Sequence, residues 1–267
     1  MKDILEEIVA HKRMELAEQK SVMPYSMLLS QAGKVMDSSP VKQRSMAESI
    51  SKSASGIIAE FKRHSPSKGW IKENGKPDRI APSYEKHGAS AISILTDFTY
   101  FGGTIHDIVE ARPMVHIPIL RKDFIIDEYQ LLQAKIIGAD AVLLIAADLT
   151  MEECRSLAAC AHDLQLETLL EVHSESELDY VGDHIDMVGV NNRHLGTFQT
   201  DVENSFRLAA QLPSDYVLVS ESGISAPQTI RQLRQAGFSG FLIGERFMKT
   251  EDPGSTLGLF VDAVVNG

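Results

Sequence analysis

The sequence predicts an α/β protein, a single (β/α)8 TIM barrel that follows an N-terminal helical extension. Eight short apolar segments alternate with segments of helical period, which is the count for such a barrel. The 267 residues fit a barrel with a short extension, and no linker divides them. An open doubly wound sheet is the alternative, but it would normally have fewer strands or a break between domains. We therefore expect one domain over residues 1–267.

Residues 1 to about 50 predict a helix followed by a connection that contains methionine and serine. Ile4, Leu5, Ile8, Val9 and Leu16 recur with a period near 3.6 residues, which indicates an amphipathic helix. The segment lacks the apolar centre and the small-residue cleavage site of a signal peptide. We expect residues 1–50 to form the extension and residues 56–267 to form the barrel.

The predicted strands are short, mostly apolar runs separated by the helical segments. They are Ile57–Phe61, Ala91–Leu95, Ile117–Leu120, Ala141–Ile145, Thr168–Val172, Met187–Val190, Val217–Ser220 and Gly240–Ile243. The segments of helical period between them include Asp127–Ile137, Met151–Leu164, Val202–Leu212 and Pro227–Ala236.

Residue types at the predicted helix ends support these boundaries. Glycine follows several helices, as expected where the chain adopts a left-handed conformation after the last turn. These glycines are Gly88, Gly138 and Gly237. Oxygen-bearing side chains precede other helices and are predicted N-caps, namely Asp127, Thr150 and Ser225.

The net charge of −11 and the absence of a basic stripe argue against a nucleic-acid partner. No run approaches the roughly 20 apolar residues of a membrane span. Cys154 and Cys160 share one predicted helix and have no second pair with which to bind a metal, so we expect free thiols in a cytoplasmic protein.

An anionic substrate would need cations concentrated locally, because the overall field repels it. The candidates are Lys62, Arg63, Lys68, Arg121, Lys122 and Arg193.

The segment EFKRHSPS, residues 60–67, places polar groups at the end of the first predicted strand. In a barrel the loops beyond the strands meet at one mouth, where the chemistry takes place. Glu60 and Lys62 are two residues apart, so they share one face of the strand. They form a candidate acid–base pair, and Ser65 offers a hydroxyl to an anion.

Lys122 and Glu171 are the candidate proton-transfer groups of other strand ends. A lysine desolvated among cations would have a lowered pKa, which suits a proton donor or a Schiff-base nucleophile. A surface lysine is the alternative. Glu171 lies in an otherwise apolar strand and suits general acid–base catalysis. Its alternative is an ion pair with Lys122 or Lys62 that only fills the top of the barrel.

Two glycine turns follow the last two predicted strands, Ser222-Gly223 and Gly244-Glu245. Glycine lets backbone N–H groups approach phosphate oxygens, and these loops carry the phosphate site in many barrels. Ordinary turns are the alternative.

His64 and His194 lie near the predicted mouth but are interpreted as surface residues, and we expect no metal site because ligand spacings are absent.

The motifs EFKRHSPSKG, LTDFTYFGG, ILRKDF, LLEVHSESEL, VGVNNRHLGTF, SESGI and LIGERFM together resemble the indole-3-glycerol phosphate synthase family of tryptophan biosynthesis. The resemblance covers essentially the whole chain. It implies a lyase that closes the ring of 1-(2-carboxyphenylamino)-1-deoxyribulose 5-phosphate with loss of CO2 and water. It implies no cofactor and is compatible with a monomer. FGGT and Arg246-Phe247 depart from the family's usual residues, which bears on loop dynamics and phosphate affinity.

The resemblance also implies roles for individual residues. Lys122 would be the general acid of ring closure, and Glu171 would transfer protons in the dehydration. Glu60 and Lys62 would assist, and Asn191 would hold this network in place. Arg193 and Phe124 would bind the anthranilate end. The phosphate would contact Ser65, Ser222, Gly223, Gly244 and Glu245. The alternatives are another phosphate-binding barrel, such as an isomerase or a Schiff-base aldolase, or a non-catalytic ligand-binding barrel.

Overall fold

A computed structural model describes residues 4–38, 44–194 and 199–267. Eight parallel strands form a closed barrel in which each strand pairs with the next along the chain and the last pairs with the first, so the predicted fold class is confirmed. The strands are β1 Ile57–Phe61, β2 Ala91–Leu95, β3 Ile119–Lys122, β4 Ala141–Ile145, β5 Glu167–Val172, β6 Met187–Asn191, β7 Val217–Glu221 and β8 Gly240–Ile243.

Strands β1, β2, β4 and β8 have the predicted bounds, whereas the others differ at their ends. The prediction for β3 was two residues too early, because Arg121 and Lys122 continue the pairing with Ile94 and Leu95 of β2. Strands β6 and β7 each run one residue further, to Asn191 and Glu221. In each case a polar side chain ends an apolar run while its backbone stays in the sheet.

The helices of the barrel are α4 Pro77–Lys86, α5 Phe98–Phe101, α6 Ile105–Ala111, α7 Glu128–Ile137, α8 Met151–Asp163, α9 Glu203–Ala209, α10 Pro227–Gln235, α11 Glu245–Met248 and α12 Pro253–Val265. After β5 the chain forms only a 3-10 helix, Glu175–Tyr180, so the expectation of one α-helix per strand is wrong there. Asp127 and Thr150 are N-caps as predicted. Ser225 is not, because α10 begins at Pro227 as predicted and the residue before it, Ala226, is the N-cap.

The N-terminal extension contains three helices where the sequence predicted one helix and a connection: α1 Ile4–Val22, α2 Tyr25–Ser38 and α3 Met46–Ser51. Pro24 separates the first two, since proline lacks the N–H that a continuous helix would need. Helix α3 closes the bottom of the barrel, where Glu167 accepts hydrogen bonds from the N–H groups of Met46 and Ala47. Part of the NNRHLGTF motif, residues 195–198, lies outside the described residues.

Helix α1 lies against the mouth of the barrel and is attached there by a buried lysine. The side chain of Lys12 is 2% exposed, and its Nζ lies 3.0 Å from Oδ2 of Asp97 and 3.1 Å from Oδ1 of Asp123. Asp97 follows β2 and Asp123 follows β3. The extension is therefore tied to two strand ends beside Lys122.

Inside the barrel, a layer of apolar side chains is followed directly by a layer of charged side chains. Inward side chains of the lower layer include Ile58, Leu120, Leu169 and Val219. Because side chains of a strand alternate, the next inward positions lie two residues further along. They are Glu60, Lys122, Glu171 and Glu221, all at the carboxyl ends of their strands. In the described part of the chain, no helix is long and apolar enough to cross a membrane.

Candidate active site

A cavity of about 460 Å³ opens at the carboxyl ends of the strands. Strand ends supply its floor, and Ile4, Leu5 and Ile8 of α1 supply part of its wall. Every site residue predicted from the sequence lines this cavity: Glu60, Lys62, Ser65, Lys122, Phe124, Glu171, Asn191, Arg193, Ser222, Gly223, Gly244 and Glu245. The structure therefore brings the predicted residues together, although it does not test their roles.

Lys122 stands between two carboxylates on the cavity floor. Its Nζ lies 2.9 Å from Oε2 of Glu221 and 3.1 Å from Oε2 of Glu171, and the side chain is 15% exposed. Burial alone would lower the pKa of Lys122, but Glu221, Glu171 and Glu60 together raise it above the ordinary value. The expectation of a lysine among cations with a lowered pKa is therefore wrong, because its nearest charged neighbours are anions.

Glu171 is buried and has a different partner at each oxygen. Oε2 faces Lys122, and Oε1 lies 3.3 Å from Nε2 of His173. Burial raises the pKa of Glu171, but Lys122, His173 and a hydrogen bond from Asn191 outweigh burial and lower it. The ion pair with Lys122 considered as an alternative is thus present. It lies inside the cavity and leaves Glu171 ionised, as a general base must be.

Glu221 is a site residue that the sequence analysis did not select. Its side chain is 1% exposed, and Oε1 has no hydrogen-bond partner among the described residues. Burial raises its pKa, Lys122 lowers it, and Glu171 and Glu60 raise it, with the result at about 7. The predicted strand ended at Ser220, which placed Glu221 in a loop. Counting inward positions by twos from Val219 would have found it.

Two glycines leave room for the buried carboxylates. A Cβ at Gly189 would lie 2.3 Å from Oε1 of Glu221, and a Cβ at Gly244 would lie 2.3 Å from Oε1 of Glu60. Both distances are far inside van der Waals contact, so any side chain at either position must displace a carboxylate. Glu60 in turn forms an ion pair with Lys62, whose Nζ lies 2.5 Å from Oε1.

Another part of the cavity lining combines left-handed turns, hydroxyls and cations. Ser222 and Gly223 adopt φ angles of 67° and 78°. The hydroxyl of Ser65 is buried without a hydrogen-bond partner among the described residues, and Ser65 lines the cavity. Lys68, one of the candidate cations, lines the same cavity, together with two cations that the sequence analysis did not select, Arg246 and Lys249. This chemistry suits a phosphate group.

Aromatic rings form the part of the cavity next to α1. Phe124 and Phe101 both line it, with ring centroids 6.1 Å apart. Arg193 donates from Nη1 to the hydroxyl of Ser67 at 3.1 Å, which holds its guanidinium near the mouth. An aromatic carboxylate has the matching composition, an apolar ring with an anionic substituent.

The histidines differ from expectation in one respect. His64 contacts the carbonyl oxygen of Tyr100 at 2.7 Å and does not line the cavity. His173, which is not among the residues selected from the sequence, contacts the predicted base Glu171. Among the described residues, no group of three or more histidine, cysteine, aspartate or glutamate side chains is arranged to hold a metal ion.

Comparisons with known proteins agree with this geometry. Solved structures of the tryptophan synthase alpha-subunit of Pyrococcus furiosus superpose with a TM-score of 0.61 over 81% of this chain and 99% of theirs. At 15% identity they support the barrel fold alone. Indole-3-glycerol phosphate synthase of Bacteroides thetaiotaomicron is 61% identical over 99% of this chain and 100% of its own length. Indole-3-glycerol phosphate synthase of Polynucleobacter asymbioticus is 42% identical over 96% of this chain and 98% of its own length. With the family's sequence pattern matching residues 5–258, the chain belongs to the indole-3-glycerol phosphate synthase family.

Proposed function

We propose that the cavity catalyses the reaction of the family, with Lys122 as general acid and Glu171 as general base. The substrate is 1-(2-carboxyphenylamino)-1-deoxyribulose 5-phosphate, and the products are indole-3-glycerol phosphate, CO2 and water. The observation that carries these roles is the position of Lys122, within 3.1 Å of two carboxylates on the floor of one cavity. A protonated amine at this position can donate a proton to a ketone oxygen, and an ionised carboxylate beside it can accept a proton.

Ring closure begins when the ring carbon that bears the carboxylate attacks the keto carbon. Lys122 gives its proton to the ketone oxygen, which becomes a hydroxyl. The bond to the carboxylate then breaks, CO2 leaves, and its bonding electrons restore the aromatic ring. In the dehydration, the hydroxyl leaves with a proton from an acid, and Glu171 takes a proton from the methylene carbon next to nitrogen. Each turnover consumes one proton overall, because a carboxylate leaves as neutral CO2.

The protonation state of Glu221 affects the acidity of Lys122 during these reaction steps. An ammonium surrounded by ionised carboxylates holds its proton tightly. The pKa of Glu221, at about 7, means that its carboxyl is partly protonated near neutrality. When Glu221 is neutral, one anion fewer stabilises the ammonium, so Lys122 becomes a better donor.

The remaining predicted residues bind and orient the substrate. Glu60 and Lys62 assist proton exchange at the substrate's hydroxyl, and Asn191 holds Glu171 through its side-chain hydrogen bond. Phe124 packs on the anthranilate ring and Arg193 positions its carboxylate. Ser65, Ser222, Gly223, Gly244 and Glu245 receive the phosphate, the last two through backbone N–H groups.

Lys122→Met tests the assignment of the general acid. The variant keeps an unbranched side chain that is one atom shorter and removes the ammonium group, so we expect turnover to fall below detection while substrate binding is largely retained. The assay follows the fluorescence of the indole product, and fluorescence quenching measures binding. Lys86→Met, at an exposed lysine of α4, is the matched control. Near-normal turnover of Lys122→Met would remove the assignment. A borohydride-trapped adduct at Lys122 would favour the aldolase alternative.

We also propose that residues 1–267 form one domain, with residues 1–50 as the extension and residues 56–267 as the barrel, acting as a cytoplasmic monomer. The extension packs on the barrel through Lys12 and contributes Ile4, Leu5 and Ile8 to the lining of the cavity. Cys154 and Cys160 are both free, as is usual in reducing compartments. A single unfolding transition and a monomer mass by light scattering are the expected results.

A further inference from the structure

His173 lies two residues beyond Glu171, on the same side of the chain as it leaves β5. Its Nε2 is 3.3 Å from Oε1 of Glu171, and its Nδ1 is 3.5 Å from Oε2 of Glu177. Both contacts are within ion-pair range but are not aligned as hydrogen bonds. The side chain is 12% exposed and does not line the cavity. His173 therefore reaches the substrate only through Glu171.

Glu177 is held in place independently of the imidazole. Its Oε2 accepts a hydrogen bond from the backbone N–H of His173 at 2.6 Å, and its Oε1 accepts one from the hydroxyl of Ser174 at 3.2 Å. Asn204 of α9 donates from Nδ2 to the carbonyl oxygen of His173 at 3.1 Å. The backbone and the counter-ion around the imidazole are thus fixed by neighbouring elements.

The charges around His173 favour its protonated form. Glu171 faces it from β5 and Glu177 from the 3-10 helix, while Glu221 acts from β7, which one strand separates from β5. Lys122 contacts the other oxygen of Glu171, Oε2. Burial lowers the pKa of His173, but Glu177, Glu171 and Glu221 outweigh burial and raise it.

The two oxygens of Glu171 therefore face two different cations, Lys122 at Oε2 and His173 at Oε1. When Lys122 has given its proton to the substrate, the first of these is neutral. Glu171 must still be ionised and correctly oriented for the dehydration that follows. We propose that His173 is a positioning residue that keeps Glu171 ionised and oriented after Lys122 has lost its proton, with Glu177 holding the imidazolium. This inference rests on the proposed role of Glu171 as the base.

His173→Gln tests it, because glutamine can occupy the site but carries no charge. We expect kcat to fall roughly tenfold and the acidic limb of the kcat profile to move up by about one pH unit, since an adjacent cation lowers a carboxyl pKa by about that much or more. KM should stay within about twofold, because His173 does not touch the cavity. His173→Lys, which restores a cation, should return part of the lost kcat. His106→Gln, at an exposed histidine of α6, is the matched control.

A purely structural role would lower kcat or stability without moving the acidic limb. An unchanged acidic limb in folded His173→Gln would therefore overturn the proposal. If that variant does not fold, NMR titration of labelled histidines in the wild-type protein tests the proposal instead. The resonance of His173 is identified as the one that shifts in the Glu177→Gln variant. A His173 imidazole that is protonated at pH 7 and loses its proton at lower pH in Glu177→Gln supports the proposal, and a neutral one overturns it. Failure of the proposed function would be seen in a separate experiment, as full activity of Lys122→Met.

Discussion

Oε2 of Glu221 lies 2.9 Å from Nζ of Lys122, although the two residues are 99 positions apart in the chain. Closure of the barrel produces this contact, because inward side chains at the ends of β3 and β7 face each other across the axis. The contact favours the charged form of both partners. It raises the pKa of Lys122, but at Glu221 burial and the carboxylates of Glu171 and Glu60 outweigh it and raise the pKa.

Glu221→Gln is expected to change the pH dependence of stability in a defined direction. A carboxyl whose pKa is raised from 4.5 to about 7 on folding contributes stability that is present below the unfolded pKa and is lost as pH rises through the folded pKa. Glutamine does not titrate. The free energy of unfolding of the variant relative to wild type should therefore increase between about pH 5 and pH 8, measured by urea denaturation across that range.

The matched control is Glu152→Gln, which removes an exposed carboxylate from the first turn of α8. Its difference from wild type should vary little over the same pH range. A flat difference for Glu221→Gln as well would show that Glu221 titrates normally, and the proposed effect of Glu221 on the acidity of Lys122 would then be withdrawn.

Gly189→Ala is expected to disturb the same pair without touching any charge. The added methyl would lie 2.3 Å from Oε1 of Glu221, so the carboxylate must move away from its position beside Lys122. We expect kcat to fall by about tenfold or more, because small displacements of a catalytic group are costly. Steady-state kinetics with far-ultraviolet circular dichroism would separate lost activity from lost fold.

Gly182→Ala adds the same methyl where nothing lies within 4 Å, and it should leave kcat unchanged. If Gly189→Ala retains wild-type kcat, the position of the Glu221 carboxylate does not matter for turnover.

The barrel and the composition of its mouth could be predicted from the sequence because both follow from local patterns. Apolar runs of strand length predict the strands, and polar residues at their ends predict the site. The electrostatics of Lys122 could not be predicted in this way. Its neighbours Glu171 and Glu221 come from strands far along the chain, so the sign of the local field depends on which side chains the closed barrel turns inward.

The N-terminal extension shows a second limit of the same kind. The period of α1 was visible in its apolar positions, but the attachment of Lys12 to Asp97 and Asp123 joins segments that only the fold brings together. Lys12 lies in the apolar stripe of α1, between Ile8 and Leu16, but its position in the sequence does not identify the two carboxylates that it contacts. Helix α3 was missed because its six residues are too few to show a clear period.

Ser222→Asp is expected to weaken substrate binding. The aspartate would place a negative charge on the cavity wall where the phosphate is proposed to bind, and the two anions would repel each other. We expect KM to rise about tenfold or more with a smaller change in kcat, measured by steady-state kinetics. Ser214→Asp makes the same charge change at an exposed position outside the cavity. Equal KM values in the two variants would place the phosphate elsewhere.

Lys12→Met is expected to destabilise the protein and detach α1 from the mouth of the barrel. It leaves the buried carboxylates of Asp97 and Asp123 without this cation, and breaking a buried ion pair typically costs about 3–5 kcal/mol. Lys52→Met removes an exposed ion pair with Glu48 and should cost less than about 1 kcal/mol. Urea denaturation at pH 7 compares the two variants. Because Ile4 and Ile8 of α1 line the cavity, Lys12→Met should also raise KM at urea concentrations where the barrel stays folded. Equal stabilities of the two variants would mean that the buried lysine is not what attaches the extension.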